Sequence, residues 1–132
     1  MASMEFAVQK AIDGKLLPAL NALNPPVPLF DHVPPGQTYP YVQFGRIIAI
    51  PGDLIDRRDR RVSIPLTVFS DFRGQEQVLE ILAVIEAAID GAELALSEGQ
   101  LIRCDLDRSD TAQDQDGVTY TGSALFTAHV VR

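Results

Sequence analysis

The strongest constraint on the fold lies between Arg61 and Ser70, where aliphatic residues alternate with Ser63, Pro65 and Thr67. Every second position there holds a branched aliphatic residue: Val62, Ile64, Leu66 and Val68. Successive side chains of a β-strand point to opposite faces of a sheet, so this spacing predicts a strand with one buried face. Pro65 has no amide hydrogen to donate, which favours a sheet edge or a bulge at its position. The chain must therefore build a sheet with one covered and one wetter face.

Two helices are predicted to cover the buried face of this sheet. The segment from about 75 to 90 has apolar residues at three- and four-residue spacing, namely Val78, Ile81, Leu82, Ile85 and Ile89. Gly91 follows it, where glycine commonly ends a helix. The first helix of the chain is predicted from about 4 to 23, so the segment from about 75 to 90 is its second. Pro18 is expected to kink the first helix or to end its regular hydrogen bonding a turn early.

Further strand patterns complete the predicted order of elements. Six of the nine prolines lie between positions 25 and 40 and predict an extended connector. The strand after it, from 41 to 50, has Val42, Phe44, Ile48 and Ile50 on one parity. Two more strands are predicted, from 100 to 107 and from 118 to 131, separated by a polar stretch and an Asp116-Gly117 turn.

The predicted order is helix, strand, strand, helix, strand, strand. This pattern indicates an α+β fold in which two helices pack on one face of an antiparallel sheet of about four strands. The length of 132 residues suits one domain, residues 1–132, of which residues 1–3 are expected to be disordered.

The charge balance restricts the possible partners. The chain has 11 Lys and Arg against 18 Asp and Glu, a formal charge of −7. A protein that grips DNA or an anionic membrane needs clustered basic residues, so neither is expected to be a specific partner. About 18 apolar residues never occur in a row, which argues against a membrane-spanning helix.

No arrangement of residues points to catalysis or to a cofactor. The histidines His32 and His129 have no nucleophile motif beside them, and Cys104 alternates with Ile102 and Leu106 as a small core residue would. The aspartates from 105 to 116 lack the spacing of a calcium loop. We therefore predict no enzyme, no bound metal and no cofactor.

One loop stands out as a candidate protein–protein interface. It runs from Gly52 to Arg61, and its candidate residues are Asp53, Leu54, Ile55, Asp56, Arg57, Arg58, Arg60 and Arg61. The arginines fit two interpretations, a solvated hairpin tip or a loop that pairs with carboxylates of a neighbouring subunit. Leu54 and Ile55 are two apolar residues among these charges, a combination that is typical of an interaction site.

Several stretches, taken in order, resemble one protein family. Phe30-Asp31-His32-Val33-Pro34 precedes Tyr39-Pro40-Tyr41-Val42-Gln43-Phe44-Gly45, and a charged loop, a strand and the second helix follow. From about position 4 onward this order resembles the tail-completion (tail terminator) proteins of siphophage-like viruses and gene transfer agents. The family commonly has an aromatic residue before the second helix, a position that Phe69 or Phe72 can take here.

The resemblance implies a structural virion protein with no catalytic residues. It implies a ring of identical subunits, commonly a hexamer, that caps the tail tube and joins it to the head-side connector. The implied partners are other copies of the chain, the major tail tube protein and the connector or stopper protein, with DNA passing through the ring without specific binding. The implied location is the tail of a virion or virus-like particle assembled in the bacterial cytoplasm. A head–tail stopper or adaptor on a similar fold is the alternative, and a small ligand-binding domain or enzyme is less favoured.

Overall fold

A computed structural model of the protein describes residues 4–23, 26–51, 59–72, 74–91, 96, 100–113 and 117–131. The helices are α1 (Met4–Asn21) and α2 (Glu76–Ile89). The strands are β1 (Leu29–Phe30), β2 (Tyr41–Phe44), β3 (Ile48–Pro51), β4 (Asp59–Ser70), β5 (Gln100–Gln113) and β6 (Tyr120–Val131). The α+β class is confirmed, with six described strands in place of the four expected.

All six strands belong to one sheet. Its order is β1-β2-β4-β6-β5, and β3 also pairs with β4. The β1–β2 pair is parallel, and every other pair is antiparallel. The strands β2 and β3 lie end to end along the same side of β4, where β2 pairs with residues 66–69 and β3 with residues 60–63. The strand β4 is therefore central.

The core fills the space between one face of this sheet and the two helices. The alternating residues of β4 are fully buried, as predicted, and so are the five apolar residues of α2. Phe126 and its neighbours of the same parity in β6 join them in one cluster with the apolar stripe of α1. Removing such side chains from water stabilises the fold by about 1.5–3 kcal/mol each.

Of the two alternatives predicted for Pro65, the sheet edge is wrong, because β4 has neighbours on both sides, whereas the one-residue register shift opposite Pro65 fits the bulge. The carbonyl of Pro65 accepts a bond from the amide of Gly45 at 2.8 Å, on the side where the neighbouring strand is interrupted between β2 and β3. Within an antiparallel strand the N and O of one residue point to the same side. The proline nitrogen therefore faces this interruption, where no ladder bond is lost.

The same interruption turns the apolar residues of β3 outward. Phe44 pairs with Leu66, but Ile48 pairs with Ser63, so the register shifts by one residue between the two strands. A slip of one residue sends every following side chain to the opposite face. Val42 and Phe44 are buried as expected, whereas Ile48 and Ile50 are each 46% exposed. The prediction of a single strand in which these four residues share one face is wrong.

Helix α1 does not end at Pro18 but continues to Asn21, and the carbonyl of Pro18 accepts a bond from the amide of Ala22 at 3.1 Å. The apolar stripe explains this, since Leu16 and Leu20, on either side of the proline, are both fully buried. Tertiary packing of the last turn outweighs the hydrogen bond that Pro18 cannot make.

Strand β5 also extends beyond its predicted end at Asp107. It pairs with β6 as far as Gln113, and its register shifts at two bulges, between Leu101 and Arg103 and between Leu106 and Arg108. Gly117 has a φ of +73°, the left-handed conformation that the predicted turn requires, while Asp116 lies outside the described residues.

Candidate assembly interface

The side of the sheet opposite the helices, here called the open face, has no described element packed on it. It consists of the residues of the wetter parity, such as Ser63 and Pro65 in β4, which pair with Thr127 and Leu125 in β6. All four are at least partly exposed to solvent. A twisted sheet commonly leaves one face to water, but this face also contains apolar groups.

One end of the open face is apolar and basic. Ile48 and Ile50 pair with Ser63 and Arg61 of β4, so their side chains lie on the same face as Arg61. His129 of β6 is the next residue across from Arg61. We call Ile48, Ile50 and Arg61 the β3 patch. Half-exposed isoleucines next to a guanidinium group are typical of a protein-binding surface.

The structure divides the candidate loop into a described and an undescribed segment. Asp53, Leu54, Ile55, Asp56, Arg57 and Arg58 lie outside the described residues. Arg60 and Arg61 belong to strand β4 and not to the loop. Their side chains leave on opposite faces, since Arg60 pairs with buried Val130 and Arg61 with His129. Only Arg61 of these two therefore lies on the open face.

An aromatic group lies near the far end of the open face, and sequence reasoning did not single it out. Tyr41 stacks on Phe69 with ring centroids 5.0 Å apart and on Tyr39 at 5.5 Å, and it meets Phe30 edge-on at 6.2 Å. Tyr39 is 39% exposed. The register explains the stack, because Tyr41 and Phe69 are directly opposite each other in β2 and β4. The two tyrosines of the Tyr39-Pro40-Tyr41 sequence were the signal from which this aromatic group could have been predicted.

The thiol of Cys104 is buried, as predicted for a core residue. Burial, with a smaller contribution from the nearby carboxylates of Asp105, Asp90 and Asp107, raises its pKa to about 12. A nucleophilic cysteine needs the opposite shift, toward the thiolate. His32 is exposed in the connector and His129 is partly buried on the open face.

Two of the acidic residues between 105 and 116 have side-chain partners on the sheet, and two lie beyond the described residues. Asp105 pairs with Arg103 at 3.0 Å, and Asp107 accepts a hydrogen bond from the hydroxyl of Thr127. Asp114 and Asp116 are not described. Among the described residues, no group of three His, Cys, Asp or Glu side chains is placed to hold a metal ion. None of the described helices is long and apolar enough to cross a membrane.

The described residues thus present a broad uncovered sheet face with an apolar end, on which another protein can pack, and a single cysteine held as the protonated thiol. The sequence model of the family described as tail completion protein gp17 matches residues 11–130. The chain belongs to this family. It is therefore a structural protein of tail assembly and not an enzyme, and its location is the virion tail.

Two solved structures have the same fold. A chain of the virion of a native gene transfer agent particle has a TM-score of 0.82 and 24% sequence identity, with complete coverage of both chains. A second solved structure has a TM-score of 0.58 and 13% identity over 99% of this chain and 97% of the other. At these identities the likeness concerns the fold. No curated protein sequence matches the chain.

Proposed function

We propose that this protein is a tail terminator subunit, and that a ring of its copies caps the finished tail tube and joins it to the head-side connector. Membership of the tail completion family supports this role, and so does the similarity to a chain of a gene transfer agent virion. In this proposal the partners are other copies of the chain, the major tail tube protein and the connector or stopper protein.

The open face is the observation that carries the proposal. A subunit that sits between a tube and a connector needs one surface for each of them and two more for its neighbours in the ring. The helices cover one side of the sheet, whereas the open face offers six strands of polar and apolar side chains. The outward turn of Ile48 and Ile50 places apolar area on that face, which supports protein binding.

The negative charge fits a channel through which DNA passes. With a formal charge of −7, the chain has no excess of basic residues with which to hold the phosphate backbone. A ring that released its DNA slowly would hinder ejection, so weak contact with DNA serves this function.

The loop from Gly52 to Arg61 remains our proposed contact with a neighbouring protein. This segment follows β3 and includes the first residues of β4, so it adjoins the end of the open face where the β3 patch lies. Arginine can pair with a carboxylate through two parallel hydrogen bonds, which suits Arg57, Arg58 and Arg61 to an acidic partner surface.

Electron microscopy of the full chain tests the role directly. The purified protein is imaged alone over a range of concentrations and again with assembled tail tubes from the same particle. We expect rings at high concentration, and we expect rings at one end of the tubes at lower concentration. Tubes without caps, together with no binding to the connector protein, would contradict the proposal. The exchange of Lys15 for Glu provides a control, because this residue is exposed on helix α1, away from the open face.

A further inference from the structure

The β3 patch has the composition of one partner's side of a protein–protein interface. Ile48 and Ile50 are 46% exposed, and Arg61 lies between β3 and β6 on the same face. Arg61 is exposed, and no carboxylate among the described side chains pairs with it. A partner for this patch must offer apolar area together with acidic groups.

The outer face of helix α2 has the matching composition. Its exposed residues recur at three- and four-residue spacing and are Glu76, Leu79, Glu80, Ala83 and Ala87. Leu79 is 52% exposed, and the helix contains no lysine or arginine. No basic group in the described segments of the chain pairs with Glu76 or Glu80. Since these two glutamates are four residues apart, they repel each other, so their spacing does not stabilise the free helix.

We propose that the β3 patch of one copy binds the outer face of α2 on the next copy, and that this contact closes the ring. The inference rests on the proposed ring function. The two surfaces are complementary in charge, because Arg61 faces acidic Glu76 and Glu80, and Leu79 offers a hydrophobic contact to the two isoleucines. The guanidinium of Arg61 can donate hydrogen bonds to both carboxylate oxygens of one glutamate.

The positions of the two surfaces determine the type of contact. The β3 patch lies on the open face, and α2 lies on the opposite side of the sheet. A contact between them is heterologous, so each copy uses one surface for each of two neighbours, as a closed ring requires. Pairing of like surfaces is disfavoured, because it would place Arg61 against Arg61 or glutamates against glutamates.

Charge exchange across the contact tests the inference. The variants Arg61→Glu and Glu80→Arg are compared with the unaltered chain by sedimentation velocity and by electron microscopy of rings. We expect each single exchange to raise the concentration needed for ring formation at least tenfold. We expect the double variant to return to within about threefold of the unaltered chain. Higher salt should weaken the unaltered ring, since ion pairs at a partly exposed interface are screened.

Matched controls separate this contact from general effects of charge. Lys15→Glu changes the net charge by the same amount as Arg61→Glu, and Asp31→Arg by the same amount as Glu80→Arg, at exposed positions outside both surfaces. Neither control should change ring formation, and all variants should melt like the unaltered chain.

The outcomes distinguish this inference from the proposed function. Rings that form normally in both single variants would overturn the contact and leave the terminator role intact. The same holds if the single variants form rings but no longer bind tail tubes, because the β3 patch would then belong to the tube contact. If the unaltered chain forms no rings alone or on tubes, both the ring and this contact are overturned.

Discussion

Gly122 allows helix α2 to approach the sheet, and its replacement by alanine tests the packing of the core. Gly122 lies in β6 between Val68 of β4 and Thr111 of β5, directly beneath the helix. A Cβ atom added there would lie 2.4 Å from Cγ1 of Val78 and 2.8 Å from Cδ1 of Leu82. Carbon atoms in favourable contact are about 3.5–4.0 Å apart, so the helix or both side chains would have to move.

The expected cost follows from two opposed effects. Overpacking of a dense core costs about 1–3 kcal/mol. Alanine is favoured over glycine within a strand by about 0.5–1 kcal/mol. Because a valine in a helix has one strongly preferred rotamer, Val78 cannot turn away from the added methyl group. We therefore place the overpacking cost at the upper end of its range. After subtraction of the gain from alanine, we expect Gly122→Ala to lower the free energy of unfolding by about 2 kcal/mol. For a chain of this size that corresponds to a fall in Tm of about 5–10 °C.

Urea unfolding followed by circular dichroism measures the effect. The matched control is Gly14→Ala in helix α1, where an added Cβ has nothing within 4 Å. That substitution should stabilise the protein by about 0.5–1 kcal/mol, the opposite sign. The double variant Gly122→Ala with Val78→Ala should lose less stability than the sum of the losses of the two single variants, by at least about 1 kcal/mol. The reason is that the shortened residue 78 leaves room for the added methyl group.

The reasoning is refuted if Gly122→Ala is as stable as the unaltered chain. It is equally refuted if the costs of the two substitutions are simply additive, since the methyl group would then not contact Val78.

Two further predictions concern strand β5. Because burial raises the pKa of the Cys104 thiol from 9.0 to about 12, the protonated thiol favours the folded state fully below pH 9.0, and this advantage is lost as the pH rises toward 12. Urea midpoints should therefore fall more steeply between pH 9 and 11 for the unaltered chain than for Cys104→Ala, and equal slopes would refute this. Asp90 Oδ1 accepts a bond from the amide of Leu106 at 2.8 Å, so Asp90→Ala should cost about 0.5–1.5 kcal/mol and speed amide exchange at Leu106. Asp90→Asn keeps an acceptor and should retain most of that stability; equal losses in both variants would show that the bond is not the cause.

The sequence predicted those regions of the fold in which one side of an element is buried. The alternation of β4 and the apolar stripe of α2 report burial directly, and both occur as predicted. The polar end of β5 gave no such signal, because residues from Ser109 to Gln113 are mostly exposed on both faces of an edge strand. That end is held in the sheet by main-chain pairing with β6, which does not depend on apolar side chains.

The candidate interface could be predicted only in part from the sequence. The composition of the charged loop predicted an interface there, whereas nothing in the sequence predicted that the two isoleucines would be exposed. Ile48 and Ile50 fit the buried parity of Val42 and Phe44 as long as the segment is taken as one strand. The extra residue between Phe44 and Ile48 reverses that parity, and it depends on Pro65 of the neighbouring strand. A pairing between distant regions of the chain is invisible to local periodicity.

The bulges of β5 have a consequence for the subunit before assembly. An unpaired edge of this length would readily add a strand from another copy, which leads to uncontrolled aggregation. Here two bulges interrupt the ladder, and Arg103, Asp105, Asp107 and Arg108 place charges along it. Free copies are thereby kept from joining sheet to sheet at this edge. Open-ended strand pairing at this edge is thereby disfavoured, whichever surfaces the subunit uses in assembly.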